Sequence, residues 1–189
     1  SATWRQASTR TPKLDEVDPD NRWYARQSLR RLESEILRDS ILAVSGALNS
    51  KMYGPPIPVR EDAVGQIVLG VEELDGERKP VKGDGLGNEA HRRSVYVQVR
   101  RTRPLATLET FDLPTLSPNC TQRSFSNIAP QSLFLMNSEF MSRYSTVFAD
   151  RVMEQSDSSL EAQARLALRF AYGTPPTDSQ LQRLVDFVQ

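Results

Sequence analysis

The chain has 189 residues, with 24 basic and 24 acidic side chains, 38% apolar and 7% aromatic residues. That size fits one globular domain able to bury about two-thirds of its unfolded surface. The charge balance removes the simple case for a nucleic-acid or membrane-surface binder, since those rely on an excess of Lys and Arg.

No run approaches the ~20 apolar residues that a membrane-spanning helix needs, and the opening Ser1-Ala2-Thr3-Trp4-Arg5 lacks the apolar core of a signal peptide. Cys120 is the only cysteine and His91 the only histidine. An internal disulfide, a Zn site of the usual kind and C-x-x-C-H haem attachment are therefore all excluded within this chain, and no metal or other cofactor is expected.

In chain order, Asp18-Pro19-Asp20-Asn21 is a turn or helix-start signal leading into Trp23 and Tyr24. Residues 31–48 predict the first strong helix. Leu32, Ile36, Leu37, Ile41, Ala43, Val44, Ala47 and Leu48 gather on one half of it, with Arg31, Ser34, Glu35, Arg38 and Ser45 on the other. Seven of the nine glycines then fall between residues 51 and 92, together with Pro55, Pro56, Pro58 and Pro80, which predicts loops, turns and a short hairpin. Ser94 to Arg100 alternates β-branched with polar or amphipathic residues and predicts a strand.

Pro104 opens a short helix to Phe111, residues 113–129 read as an ordered loop, and Pro130 suits the first position of a helix over Gln131 to Met136. Asn137 or Ser138 caps a longer helix carrying Phe140, Met141, Tyr144, Val147, Phe148 and Val152 on one face. A capping box at Ser158-x-x-Glu161 opens the next helix, with Leu160, Ala164, Ala167, Leu168 and Ala171 inward and Glu161, Arg165 and Arg169 outward. Gly173, Pro175 and Pro176 end it, and Thr177-x-x-Gln180 caps a final helix with Leu181, Leu184, Val185 and Val188 inward. The expected fold is mostly α: five or six helices, one short strand or hairpin, and a Gly-rich middle loop region. Its parts are an N-terminal segment and helix (1–50), a Gly/Pro-rich excursion (51–92), and a strand plus helical portion (93–189) of one domain.

Four segments together carry a family resemblance: SATWRQAS at 1–8, RRLESEILRDSILAVSGALN at 30–49, RRSVYVQVRR at 92–101 and CTQRSFSNIAPQSLFLMNSEFM at 120–141. LALRFAYGTPPTDSQL at 166–181 adds to them. The chain resembles the domain of unknown function that accompanies cytochrome c domains in large exported proteins of planctomycetes and related bacteria. The resemblance spans nearly the whole chain. It implies that the chain is the later part of a larger domain, located in the periplasm or outside the cell, with upstream domains of the same parent protein as partners. It also implies an association with polysaccharide use, and it transfers no catalytic residues.

The residues themselves offer four candidates for chemistry. Glu33, Glu35 and Asp39 on the first strong helix would suit glycoside hydrolysis if two carboxylates bracketed a sugar; structurally they would pair with Arg30, Arg31, Arg93, Arg100 or Arg123 instead. The loop from Asn119 to Ser124 and on to Asn127, Gln131 and Asn137 is dense in hydrogen-bonding groups. An anion or sugar hydroxyl would find Arg123, Gln131, Asn137 and Arg93 there, unless those groups serve the loop's own backbone. Cys120 as a nucleophile would need His91 as its base, and a lone Cys is commonly a small buried apolar residue.

Gly83-x-Gly85-x-Gly87 lacks dinucleotide spacing, and Asp84, Asn88 and Glu89 lack EF-hand spacing. Arg92-Arg93 and Arg100-Arg101-x-Arg103 are expected to clamp the strand onto the acidic helix rather than to bind nucleic acid. Asn119-Cys120-Thr121 is an N-glycosylation sequon, of consequence only in a eukaryotic secretory pathway. The expected function is a non-catalytic structural or binding module, with a glycan as candidate ligand. The alternatives are part of a carbohydrate-active site using Glu33, Glu35 or Asp39 with Arg123, or a docking partner for a c-type cytochrome domain.

Overall fold

The computed structural model describes residues 5–71, 85–115 and 120–189. Residues 1–4, Gly76, Gly83, Asp84 and Asn119, on which some of the expectations above fall, lie outside the described residues. Among the described residues the fold is mostly helical, with seven helices and one two-stranded antiparallel hairpin. The chain divides into two compact units, Ser1–Leu32 and Glu33–Gln189.

The first unit is held by polar groups. Helix α1 (Pro12–Val17) has Pro12 in its first turn, and the Thr11 hydroxyl accepts the Leu14 N–H. The turn expected at Asp18–Asn21 follows. The Asp18 carboxylate accepts the N–H groups of Arg22 and Trp23, both at 2.8 Å. Asn21, at φ 54°, donates to the Arg26 carbonyl at 2.7 Å. The Arg26 guanidinium donates to the Asp18 and Pro19 carbonyls and lies 3.4 Å from Asp15. Asp18, Asn21 and Arg26 are the buried residues of this unit's described part, and each is hydrogen-bonded, as buried polar groups must be.

In the second unit, α2 (Ser34–Ser45) ends at Gly46, whose φ of 83° is a left-handed cap that suits glycine. The hairpin pairs β1 (Val59–Glu61) with β2 (Ile67–Leu69) in the register Val59↔Leu69 and Glu61↔Ile67. Its turn is shaped by Asp62, which accepts the N–H groups of Val64 and Gln66. This is the hairpin foreseen in the glycine-rich part.

Two 3₁₀ turns follow, Gly87–His91 and Ser94–Tyr96, then α3 (Ala106–Thr110), α4 (Ala129–Asn137), α5 (Glu139–Gln155), α6 (Leu160–Tyr172) and α7 (Asp178–Val188). Helix α5 packs on α2, α4 and α6, and α6 packs on α7. Ile57, Val59, Val97, Leu105 and Leu108 form the core beneath the hairpin. Leu42, Tyr144, Val152, Ala164 and Leu181 are buried among the helices.

Three local expectations are corrected. Ser94–Arg100 is not a strand. Its start is wound into a 3₁₀ turn, and its ladder pairing is a single parallel bridge of Val97 to Ile57, made through the Tyr96 carbonyl and the Gln98 N–H. Val97 is buried while Val95 and Val99 are exposed, so the alternation had no second strand to pair with. Helix α2 buries the side read as polar: Ser34, Arg38 and Ser45 are buried with Leu42, while Leu32 and Ile36 stand about half exposed. The α6 cap is Ser159 rather than Ser158; its hydroxyl accepts the Ala162 N–H at 3.2 Å. The Ser138 cap on α5 and the Thr177/Gln180 capping box on α7 form as expected.

Candidate functional site

The carboxylates singled out in the sequence lie on the first half of α2. Glu33 is the N-cap and Glu35 sits in the first turn, where the exposed N–H groups of a helix favour negative charge. Arg123 reaches them from the 120–128 loop. Its guanidinium grips Glu35 in a fork, Nη1 to Oε2 at 2.7 Å and Nη2 to Oε1 at 2.9 Å, and stands 3.3 Å from Glu33.

The Arg123 hydrogen bonds hold the Glu35 carboxyl below its ordinary pKa. Partial burial opposes this, and the Glu35 backbone N–H and the Ser34 hydroxyl reinforce it. Arg123 is raised in turn, chiefly by the same hydrogen bonds. A carboxyl held ionised in this way is unsuited to act as a general acid near neutrality, which requires an elevated pKa.

Asp39, one turn further along α2, faces a different partner. One of its oxygens accepts both the N–H and the hydroxyl of Ser94, each at 2.7 Å, and so caps the second 3₁₀ turn. Arg93 approaches the other oxygen at 3.9 Å. Beside it, Arg38 is only 2% exposed. Its guanidinium donates to the Ala90 carbonyl at 2.7 Å, the Arg92 carbonyl at 3.0 Å and the Ser94 hydroxyl at 3.2 Å. Burial lowers the Arg38 pKa, and the charge of Asp39 works against that. Adjacent residues of opposite sign thus hold the 90–94 segment against α2.

Arg92 is equally buried. It donates to the Tyr53 and Pro55 carbonyls and to Glu89, and lies over the Tyr96 ring at 4.0 Å. Its Nε is buried without a hydrogen bond. Of the arginines expected to clamp this segment onto the acidic helix, Arg93 reaches Asp39, whereas Arg92 turns to Glu89 and Arg103 to Glu61, the latter at 2.6 Å; the pairing of Glu35 and Glu33 comes from Arg123 instead.

A pocket of about 470 Å³ opens next to this clamp. Val97, Leu105, Leu108 and Leu113 supply its apolar wall, and Glu35, Glu109, Arg100 and Arg101 its charged groups. Neither Glu33 nor Asp39 lines it. The three carboxylates therefore do not bracket one ligand space: Glu35 borders the pocket in the grip of Arg123, and Asp39 is turned to Ser94.

The other predicted binding groups scatter. Gln131 is buried in α4, where its amide donates to the Ser126 hydroxyl at 3.0 Å. The same amide lies 3.4 Å from Asp112, which also accepts the Ser126 N–H and hydroxyl. Gln131 is a staple inside the loop, and Asn137 is exposed at the end of α4. Cys120 is exposed rather than buried, its thiol directed at the Gln122 carbonyl. His91 stands 3.2 Å from the Asn88 amide oxygen, with its ring edge-on to Tyr144. Among the described residues, no group of three or more His, Cys, Asp or Glu side chains is placed to hold a metal, and no helix is long and apolar enough to cross a membrane.

Sequence reasoning missed Arg38 as an organising residue, and for Arg92 it expected the acidic helix as partner where the structure gives Glu89 and the Tyr53 and Pro55 carbonyls. The available signal was the spacing Ser34, Arg38, Leu42, Ser45, a stripe whose serines allow close approach of another segment.

The class defined by these features is a mostly helical domain cross-braced by buried arginines. Residues 1–188 match the family model described as PSD1, Protein of unknown function (DUF1553), and the chain belongs to that family. No curated protein and no solved structure matches it.

Proposed function

We propose that this chain is a non-catalytic structural or binding module of a larger exported bacterial protein, of the planctomycete kind in which such domains accompany cytochrome c domains. The observation that carries this reading is the engagement of its acidic residues. Glu35 is held ionised in a two-pronged bond to Arg123, and Asp39 is committed to Ser94. An acid–base pair for glycoside hydrolysis needs one carboxyl kept protonated and another facing it across the substrate, whereas Glu35 is held ionised by Arg123 and neither Glu33 nor Asp39 lines the pocket that Glu35 borders.

The pocket beside Glu35 is of a size that takes small ligands. It favours a second reading, in which the module holds a glycan without cleaving it. Melting curves and hydrolysis assays on Glu35→Ala and Asp39→Ala distinguish these from an enzyme. The module reading expects both substitutions to lower the melting temperature, and no glycan hydrolysis by the parent chain. Turnover of a polysaccharide that either substitution abolishes at unchanged melting temperature refutes it.

A further inference from the structure

The strand expected at Ser94–Arg100 is paired on one edge only. Val97 has an extended backbone, φ −68° and ψ 131°, and bridges to Ile57 through its neighbours. The Tyr96 carbonyl accepts the Ile57 N–H at 2.7 Å, and the Gln98 N–H donates to the Ile57 carbonyl at 2.8 Å. Alternate residues of a strand turn their amide groups to opposite edges. With Tyr96 and Gln98 committed to Ile57, the other edge belongs to the Val97 carbonyl and to the N–H and carbonyl of Val99. Among the described residues, none of these three groups has a hydrogen-bond partner. An edge of unpaired donors and acceptors is a template for a further strand.

The pocket of about 470 Å³ lies along the same segment: residues 97–102 line it together with Leu105, Leu108 and Leu113. Edge and pocket thus coincide. Extended peptides are recognised in this way, with backbone pairing for affinity and a pocket for alternate side chains. Charge selects the kind of peptide. From Ala90 to Leu108 there are five arginines and no Asp or Glu. Arg92 and Arg103 are paired with Glu89 and Glu61, while Arg100 and Arg101 line the pocket. Of the pocket's carboxylates, Glu35 is neutralised by Arg123, which leaves Glu109 against two arginines. Among the described residues, no aromatic ring lines the pocket to stack on a sugar or a base.

We infer that the Val97–Val99 edge and its pocket bind an extended acidic peptide of another protein. The peptide adds a strand beside Val97 and Val99, lays alternate apolar side chains against Leu105, Leu108 and Leu113, and sets its carboxylates by Arg100 and Arg101. The inference rests on the reading of this chain as a binding module, and names the class of its partner.

Fluorescence anisotropy of a labelled, end-capped octapeptide alternating valine with glutamate, titrated with the whole 189-residue chain, tests this. The expected result is saturable binding at micromolar to submillimolar concentrations, weakened at least about tenfold when lysine replaces the glutamates. Methylating the backbone nitrogens of alternate peptide residues blocks one strand edge at a time. One of the two methylated isomers should lose binding about tenfold and the other keep it. Val99→Pro removes the unpaired N–H at an exposed position, and should weaken binding as much at a nearly unchanged melting temperature. Should that variant unfold, Arg101→Glu takes its place. No binding up to millimolar concentrations overturns the inference, as does binding indifferent to both methylation patterns. Binding of cellohexaose without binding of the peptide also overturns it and gives the pocket to a glycan. The module reading survives either result and fails only on hydrolysis.

Discussion

Replacing Arg38 with methionine keeps much of the side-chain volume and removes only the guanidinium. In the structure that group satisfies two buried carbonyls, Ala90 and Arg92, and the Ser94 hydroxyl. A buried acceptor left without a donor costs about 1–3 kcal/mol. Two carbonyls therefore set a loss of about 2–6 kcal/mol, which agrees with the 3–5 kcal/mol typical of breaking a buried charged pair. Against a total stability of about 5–15 kcal/mol this is a large fraction. For a chain of this length it corresponds to a fall in melting temperature of roughly 6–20 °C.

Urea unfolding followed by circular dichroism gives the free energy directly, and Arg165→Met on the exposed side of α6 serves as the control, expected within about 0.5 kcal/mol of the parent. Asp39 retains its two bonds from Ser94 in the Arg38→Met variant, so the chain should still fold at low temperature. A loss below about 1 kcal/mol would refute the view that Arg38 ties the 90–94 segment to α2, since the released carbonyls would then have found other donors at little cost.

Other consequences follow from the same geometry. A double-mutant cycle on Glu35→Gln and Arg123→Met should return a coupling of about 1–2 kcal/mol, above the usual surface pair because the bond is two-pronged, and below a buried one because both side chains keep partial solvent contact. A coupling near zero in melting experiments would contradict the clamp.

The carboxyls of Glu35, Asp18 and Glu89 are all held below their ordinary values, by Arg123, by the Trp23 N–H and by Lys51 respectively. Their folded-state pKa values lie below the unfolded ones, so their stabilisation is fully present above the unfolded carboxylate range, near pH 4–4.5, and is lost as pH falls through the folded values. The melting temperature should hold between pH 7 and 5 and drop steeply below pH 4; a flat profile down to pH 3 would remove these groups from the account. Gly46→Ala forces a left-handed conformation on alanine and brings its Cβ to 3.1 Å from Arg151 Cδ, so calorimetry should record a destabilisation of about 1–2 kcal/mol.

Local rules made much of this chain legible in advance. Caps and breakers are short-range physics, and so Thr177 with Gln180, Ser138, Gly173 and the helices they bound follow from neighbouring residues alone. The glycine-rich middle likewise announced a hairpin. By itself, then, the sequence determined the helical class, the order of the helices and the absence of a disulfide within this chain.

Tertiary structure decided which surfaces those elements bury. Periodicity assumes that apolar means inside, and α2 defeats that assumption. Arg38 can be buried because the Ala90 and Arg92 carbonyls, distant in sequence, need its donors, and no window of adjacent residues contains both sides of that exchange. The strand expected at Ser94–Arg100 failed for the same reason, since a strand exists only with a partner, and Asp39 and Arg38 had already engaged Ser94. The candidate site followed suit: the sequence supplied the carboxylates and Arg123, but only their meeting in space made them an ion-paired brace instead of an open pair flanking a ligand.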